Sequence, residues 1–336
     1  MLARRQQPCH CHTCPVAYLD LSQHPGEMQR IFAGLGLAAP GEPVHAEPLA
    51  GGVSSGIYRV DLRSGRYCLK QALPKLKVAK EWRVPVERVF QEVGWLQVVG
   101  AIVPGRVPQV LGCDEATCSF VMPYFGAAWR NWKTELLAGE VDPAMAAAVG
   151  DLLGRIHAAT AGDAGLARRF ATDANFHAIR LEPYLVETAR VHPALAAQLH
   201  ALVDRTAGNR RVLVHGDVSP KNILLGPEGP VLLDAECAWF GDPAFDLGFC
   251  LNHFLLKAAH LPAARARLLD AFEALAAAYQ PHVHWEPQEA VVARAAALLP
   301  GLTLARIDGK SPVEYLGAAQ KETVRRAPGL SDVVSN

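Results

Sequence analysis

Residues 215–222 read His215-Gly216-Asp217-Val218-Ser219-Pro220-Lys221-Asn222, and Asp234-Ala235-Glu236 follows twelve positions after Asn222. This run sets carboxylates and an amide at the ends of short apolar stretches. Phosphoryl transfer from a nucleotide uses such a set. One Asp orients the attacking hydroxyl, while an Asn and an acidic residue hold the magnesium that neutralises the phosphates. On that reading Asp217 is the candidate catalytic residue, Asn222 and Asp234 are the candidate metal ligands, and Glu236 is a further carboxylate beside them.

Val212-Leu213-Val214 precedes the loop, Ile223-Leu224-Leu225 follows it, and Gly226-Pro227-Glu228-Gly229-Pro230 is a turn by composition before Val231-Leu232-Leu233. The pattern predicts a buried hairpin with the polar groups at its ends. In the protein-kinase loop H-R-D-x-x-x-x-N, the same interval of four residues separates Asp and Asn. Here Gly216 stands in place of the Arg.

The segment before residue 125 must supply the phosphate grip. Leu49-Ala50-Gly51-Gly52-Val53-Ser54-Ser55-Gly56 interrupts two alternating runs, 45–49 and 57–62, and Ser64-Gly65 turns into a third strand ending near Lys70. Gly51, Gly52, Ser54 and Ser55 are candidate phosphate contacts, because glycine lets backbone amides approach an anion closely. The same residues also suit a plain hairpin turn. Lys70 is the candidate for the α/β-phosphates. A helix over 86–99 offers Glu87 and Glu92 as its partner, and Glu92 is favoured by the apolar stripe Val89, Val93, Leu96 beside it. Further strands are expected at 107–112 and 119–124, and short helical pattern at 28–36. From Asp142 the chain turns helical, with helices expected at 144–159, 193–205, 245–258, 262–279 and 287–299. Asp246 is expected to support the catalytic loop by accepting backbone N–H bonds, and His157 to be structural.

The His-Gly-Asp-x-x-x-x-Asn loop with its hairpin and Asp resembles the aminoglycoside phosphotransferase and choline kinase superfamily. Segments from Asp234 to Gly248, and Leu69-Lys70 with Glu87 to Glu92, are most similar to 5-methylthioribose kinases. Asn222 fits the aminoglycoside phosphotransferase pattern and departs from that of methylthioribose kinases. The resemblance implies an α+β, two-lobed protein-kinase-like fold, with an antiparallel-sheet N-terminal lobe over 28–125 and a larger helical C-terminal lobe over 126–336. Residues 1–27 lack periodicity and are expected as a disordered tail. The resemblance implies ATP and Mg2+ as cofactors, Asp217 as base, Asp234 and Glu236 as metal ligands, and adenine contacts from the backbone near Met122 and Tyr124. It also places Arg306 near a substrate-contacting position, and Arg180 lies in a second mixed-charge segment; either could equally be a surface ion-pair partner.

Composition narrows the class. Lys plus Arg and Asp plus Glu are 33 each, so the net charge is zero and neither nucleic acid nor a membrane surface is the expected partner. No uninterrupted apolar run approaches the ~18–20 residues of a membrane span. A cytoplasmic protein is expected. Five of the eight cysteines, 68, 113, 118, 237 and 250, are expected as reduced thiols in apolar surroundings, while Cys9-His10-Cys11-His12-Thr13-Cys14 is a tight cluster able to bind a soft metal. The function these features support is transfer of a γ-phosphate to a hydroxyl of a small, sugar-like molecule. The alternatives are an aminoglycoside-modifying phosphotransferase and a nucleotide-binding protein without catalysis.

Overall fold

The computed structural model describes residues 18–50, 52–77 and 82–326. Gly51 and the Cys9–Cys14 cluster lie outside the described residues. The chain divides into two compact units. One comprises residues up to Val98 together with Pro108–Phe125, and the other comprises Val99–Val107 and Gly126 onward.

The first unit opens with α1 (Pro25–Gly34) and is built on a five-stranded antiparallel sheet. Its strands are β1 (Ala46–Pro48), β2 (Ser55–Leu62), β3 (Gly65–Ala72), β4 (Gly112–Asp114) and β5 (Ser119–Pro123), in the order β1-β2-β3-β5-β4. Helix α2 (Arg88–Ile102) lies between β3 and β4 in sequence. Val60, Leu69 and Val121 are fully buried and pack with Ile31 and Phe32 of α1. Apolar residues on alternate strand positions thus share one covered face.

Three expectations change here. The strand expected at 107–112 is not a strand. Pro108 offers no N–H, and of this stretch Leu111 donates to the Val121 carbonyl at 2.8 Å before β4 begins. The first helix starts at Pro25 rather than 28. The unstructured tail does not reach residue 27, because Leu21 is fully buried. The buried amide of Gln71 explains this order. It donates to the carbonyls of Leu19 at 2.7 Å and Thr117 at 2.8 Å, and accepts from the N–H of Leu21 at 3.1 Å.

The second unit begins with β6 (Arg130–Asn131), α3 (Trp132–Leu137) and α4 (Pro143–Thr160). Asp142 caps α4 by accepting from Ala144 N–H at 2.9 Å, with Pro143 at the first helical position. Two short helices, α5 (Ala164–Arg169) and α6 (Asp173–Phe176), lead into a π-helical segment, His177–Val186, continued by α7 (Glu187–Val191) and α8 (Ala196–Gly208). Then come β7 (Val212–Val214), β8 (Ile223–Gly226), β9 (Gly229–Leu232) and β10 (Trp239–Gly241), followed by α9 (Pro243–His260), α10 (Arg265–Tyr279), α11 (Gln288–Asp308) and α12 (Ala318–Arg325). The expected hairpin is β8–β9, which β6 extends, while β7 pairs instead with β10, a strand not anticipated.

Helix α9 is buried all round, as a helix at the centre of a core must be. Helix α11 continues past Pro300, where it was expected to stop, because Leu302, Leu304, Ala305 and Ile307 carry its buried face onward. By length and composition alone α11 could cross a membrane. It is instead packed on α9 and carries Arg294, paired with Asp242 at 3.0 Å and Glu286 at 2.8 Å. Of the five cysteines expected reduced, Cys68, Cys118, Cys237 and Cys250 are free thiols, and Cys113 is disulfide-bonded.

Replacing Gln71 by the similarly sized Leu strands the carbonyls of Leu19 and Thr117. The expected loss is about 1–3 kcal/mol of stability, read as a lower denaturation midpoint at unchanged slope. An unchanged midpoint would show that Gln71 does not secure residues 19–21.

Candidate active site

The loop 215–222 is held from beneath by one carboxylate. Asp246, fully buried in the first turn of α9, accepts from the N–H of His215 at 2.7 Å and of Gly216 at 2.8 Å. His157 Nε2 is 3.3 Å from the same carboxylate, and its Nδ1 is 2.9 Å from the Tyr279 hydroxyl. The supporting roles expected of Asp246 and His157 follow from these bonds. His215 Nδ1 accepts from the N–H of Asp217 at 3.1 Å, so its proton sits on Nε2, which donates to the Leu233 carbonyl at 3.0 Å. That arrangement suits a neutral ring. Burial holds the His215 pKa below its ordinary value, although Asp246 and Asp217 pull it upward.

Gly216 has φ +77°, and a Cβ there would lie 2.6 Å from the Cys237 carbonyl oxygen. Backbone conformation and crowding together demand glycine at the position where protein kinases place Arg. Asp217 is 3% exposed, and Asn222 Nδ2 donates to its carbonyl at 3.1 Å. Among the described residues the Asn222 side-chain oxygen makes no hydrogen bond and stays available as a ligand. Asp234 follows β9 with φ +66°, a left-handed conformation uncommon outside glycine and tolerated by Asp. Glu236 is 7% exposed, and its carbonyl accepts from Asn175 Nδ2 at 3.0 Å.

Arg180 proves to be part of this constellation. The π-helical segment buries it, and its Nη2 meets Asp217 Oδ2 at 2.7 Å while Nε donates to the Gly216 carbonyl at 2.5 Å. It is therefore neither a surface residue nor remote from the carboxylate. Lys221 Nζ reaches the same Oδ2 at 3.2 Å. Burial pushes the Asp217 carboxyl upward, but Arg180 and then Lys221 outweigh it and hold the group below the usual Asp range. Asp217 is accordingly ionised and weakly basic. Arg306 lies on α11, partly buried, with Nη1 2.8 Å from Ser311 Oγ and 3.3 Å from the Tyr184 hydroxyl.

In the first unit Lys70 Nζ lies 2.8 and 2.7 Å from the two oxygens of Glu92, and both side chains are buried. The Gly/Ser loop is tied down by Arg88, a residue the sequence reading passed over. Its Nη2 donates to the carbonyls of Ser54 at 2.5 Å and Leu73 at 3.0 Å. A Cβ on Gly52 would come 2.4 Å from the Ser55 carbonyl oxygen. Ser55 Oγ is buried without a hydrogen-bond partner. Gly52 thus leaves no room for a side chain, and three residues on lies a buried hydroxyl without a partner. Met122 is a β5 residue opposite Cys68, while the N–H of Tyr124 donates to the Arg66 carbonyl at 3.1 Å. That N–H is thus committed to the sheet and is not a donor for adenine.

Magnesium takes hard oxygen ligands and is commonly held by one or two carboxylates plus substrate phosphates. Asn222, Asp234 and Glu236 present only such oxygens. No group of three or more His, Cys, Asp or Glu suited to hold a metal occurs among the described residues.

A model of the phosphotransferase enzyme family matches residues 45–285, well over half of the chain. The chain belongs to this family. It is a small-molecule kinase by class. The chain is 25% identical to a methylthioribose kinase of Klebsiella pneumoniae, an alignment covering 89% of this chain and 83% of that one. In structure it is similar to a choline/ethanolamine kinase family protein of Mesorhizobium loti, with TM-score 0.53 and 17% identity over 92% of this chain and 98% of that one. It is also similar to a spectinomycin phosphotransferase bound to ADP and spectinomycin, with TM-score 0.50 and 12% identity over 91% and 97% of the two chains. The α+β architecture, with an antiparallel sheet followed by helices, is the protein-kinase-like fold of these neighbours.

The depressed Asp217 pKa fixes a pH dependence. A carboxyl lowered on folding contributes stability that is present above its unfolded value of about 3.9 and is lost as pH falls through the folded value. Arg180→Met removes the main compensation for burial. The carboxyl pKa should rise, because burial then acts with only Lys221 opposing it among the main causes, and the acid limb of the pH profile of kcat/KM should move up with it. An unmoved limb would show that Arg180 does not set the charge of Asp217.

Proposed function

We propose that the protein transfers the γ-phosphate of ATP, with magnesium, to a hydroxyl of a small, sugar-like metabolite. The observation that carries this reading is the fixed loop 215–222, which presents a buried, ionised Asp217 with Asn222 bonded to its backbone. In this reading Lys70, oriented by Glu92, contacts the α- and β-phosphates, and Gly52, Ser54 and Ser55 approach them through the backbone and the free Ser55 hydroxyl. Asn222, Asp234 and Glu236 hold the magnesium, which when bound neutralises phosphate charge.

Asp217 receives the acceptor. Both neighbouring cations sit on Oδ2, which leaves Oδ1 to take the hydrogen of the acceptor hydroxyl. The hydroxyl oxygen bonds to the γ-phosphorus as the bond to the β-bridging oxygen breaks. That electron pair leaves with ADP, and the hydroxyl proton passes to Asp217. A weak base suffices, because phosphoryl transfer depends mainly on positioning and charge neutralisation.

The similarity to methylthioribose kinase makes methylthioribose the first acceptor to test. A polycationic aminoglycoside is the weaker reading, since Arg180 and Lys221 already crowd Asp217 with positive charge. Coupled ADP release with magnesium, screened over methylthioribose, pentoses, hexoses, choline, homoserine and aminoglycosides, tests the proposal. Asp217→Ala should lower kcat by about 10²–10⁴-fold while Mg·ATP affinity is retained. Near-full turnover in that variant would remove Asp217 from the chemistry.

A further inference from the structure

The second unit holds another group of basic side chains, one aromatic layer from Asp217. Phe249, His253 and Lys257 recur every four residues on α9 and share one face of it. Lys257 is 1% exposed, and its ammonium has no hydrogen bond or ion pair among the described residues. Its Nζ lies over the Tyr315 ring, 5.3 Å from the centroid. His253 is 6% exposed, with Nε2 buried and unpartnered. Arg306 Nε and the Tyr315 hydroxyl are likewise buried without partners. The Tyr184 ring joins this group to the catalytic carboxylate, since the guanidinium carbons of Arg180 and Arg306 each lie 5.8 Å from its centroid. Phe249 does the same, 5.8 Å from Arg180 and 5.6 Å from His253.

Four polar groups left unmatched in one buried region are costly, at about 1–3 kcal/mol for each unmet donor. Such groups point to a ligand or to trapped water. Burial, then Lys257 and Arg306, hold the His253 pKa well below its ordinary value, so that ring is neutral. Hydroxyls of a neutral sugar could accept from this group, but would leave the Arg306 guanidinium, and Lys257 when protonated, without a counter-charge. The nearby carboxylate, Glu314, is exposed and already paired with Lys133.

We propose that His253, Lys257 and Arg306 bind an anionic group of the acceptor, so that the enzyme acts on an acidic hydroxylated small molecule bearing a phosphate monoester or a carboxylate. This rests on the assignment of Asp217 to the acceptor hydroxyl and narrows it from sugar-like to acidic. Burial, then the charges of Lys133 and Arg306, hold the Lys257 pKa down at about 7. A bound anion reverses that penalty and keeps the ammonium charged.

The test compares thermal stabilisation of the full chain by matched probes: D-ribose against D-ribose 5-phosphate, glycerol against D-glycerate, and inorganic phosphate alone. Lys257→Met keeps the buried volume without the charge, and a melting temperature at or above that of the wild type establishes that it folds. The wild type should be stabilised by at least one anionic probe and not by its neutral mate. The apparent affinity for that probe should fall at least about tenfold in Lys257→Met, equivalent to about 1.4 kcal/mol. The phosphate and glycerate arms separate the two anion types. No anion response in the wild type, or an equal response in Lys257→Met, overturns the proposal. Mg·ATP turnover, measured separately, reports on the kinase reading, so an enzyme that phosphorylates only neutral acceptors refutes the anion site and leaves that reading intact.

Discussion

The second unit depends on the Asp246 carboxylate at the start of α9. Two consecutive N–H groups of the loop 215–222, those of His215 and Gly216, end on its oxygens. Loop amides buried away from water need such partners, and a charged acceptor gives stronger bonds than a neutral one. Because α9 is buried along nearly its whole length, the carboxylate is as immobile as the core. The position of Asp217 is therefore set by packing, and the loop itself needs no regular secondary structure. Gly216 completes the constraint by letting the chain turn against Cys237 where any side chain would collide.

Around this anchor, charge is arranged with unequal generosity. Asp217 has two cations on one oxygen, which keeps it ionised despite burial. The buried Lys70–Glu92 pair in the first unit says more about placement than about stability, since desolvation offsets much of the attraction in such pairs. Lys257, His253 and Arg306 have no carboxylate of comparable burial facing them among the described residues. Burial holds His253 and Lys257 toward their neutral forms, and the group adjoins Asp217 through Tyr184 and Phe249.

What the sequence made legible was local. The loop 215–222, the β8–β9 hairpin and the capped start of α4 all follow from spacing, turn composition and capping residues within a few positions. Lys70 and Glu92 were legible because a strand end and an apolar helical stripe each point a side chain in a known direction. The parts that were not legible depend on distant partners. Arg180 reaches Asp217 from a π-helical segment whose winding no periodicity announces, and an Arg among mixed charges looks the same whether buried or exposed. Strand β10 is too short to show alternation and exists because β7 needs a partner. Helix α11 passes Pro300 because tertiary burial outweighs one lost hydrogen bond. Tyr124 looked free for adenine, but the sheet takes its N–H, a pairing that only the register reveals.

Positioning of the loop 215–222 by a carboxylate on a core helix is tested by 31P NMR of ATP, magnesium and an accepted substrate with wild type and Asp246→Asn. Asparagine keeps the volume but turns one acceptor into a donor facing the loop amides. The wild type should convert the γ-phosphate signal into a phosphomonoester. The variant should do so at least about a hundredfold more slowly with Mg·ATP binding preserved, the scale expected when a reacting group is misplaced by about 1 Å. Wild-type conversion by Asp246→Asn would show that this carboxylate does not set the position of Asp217.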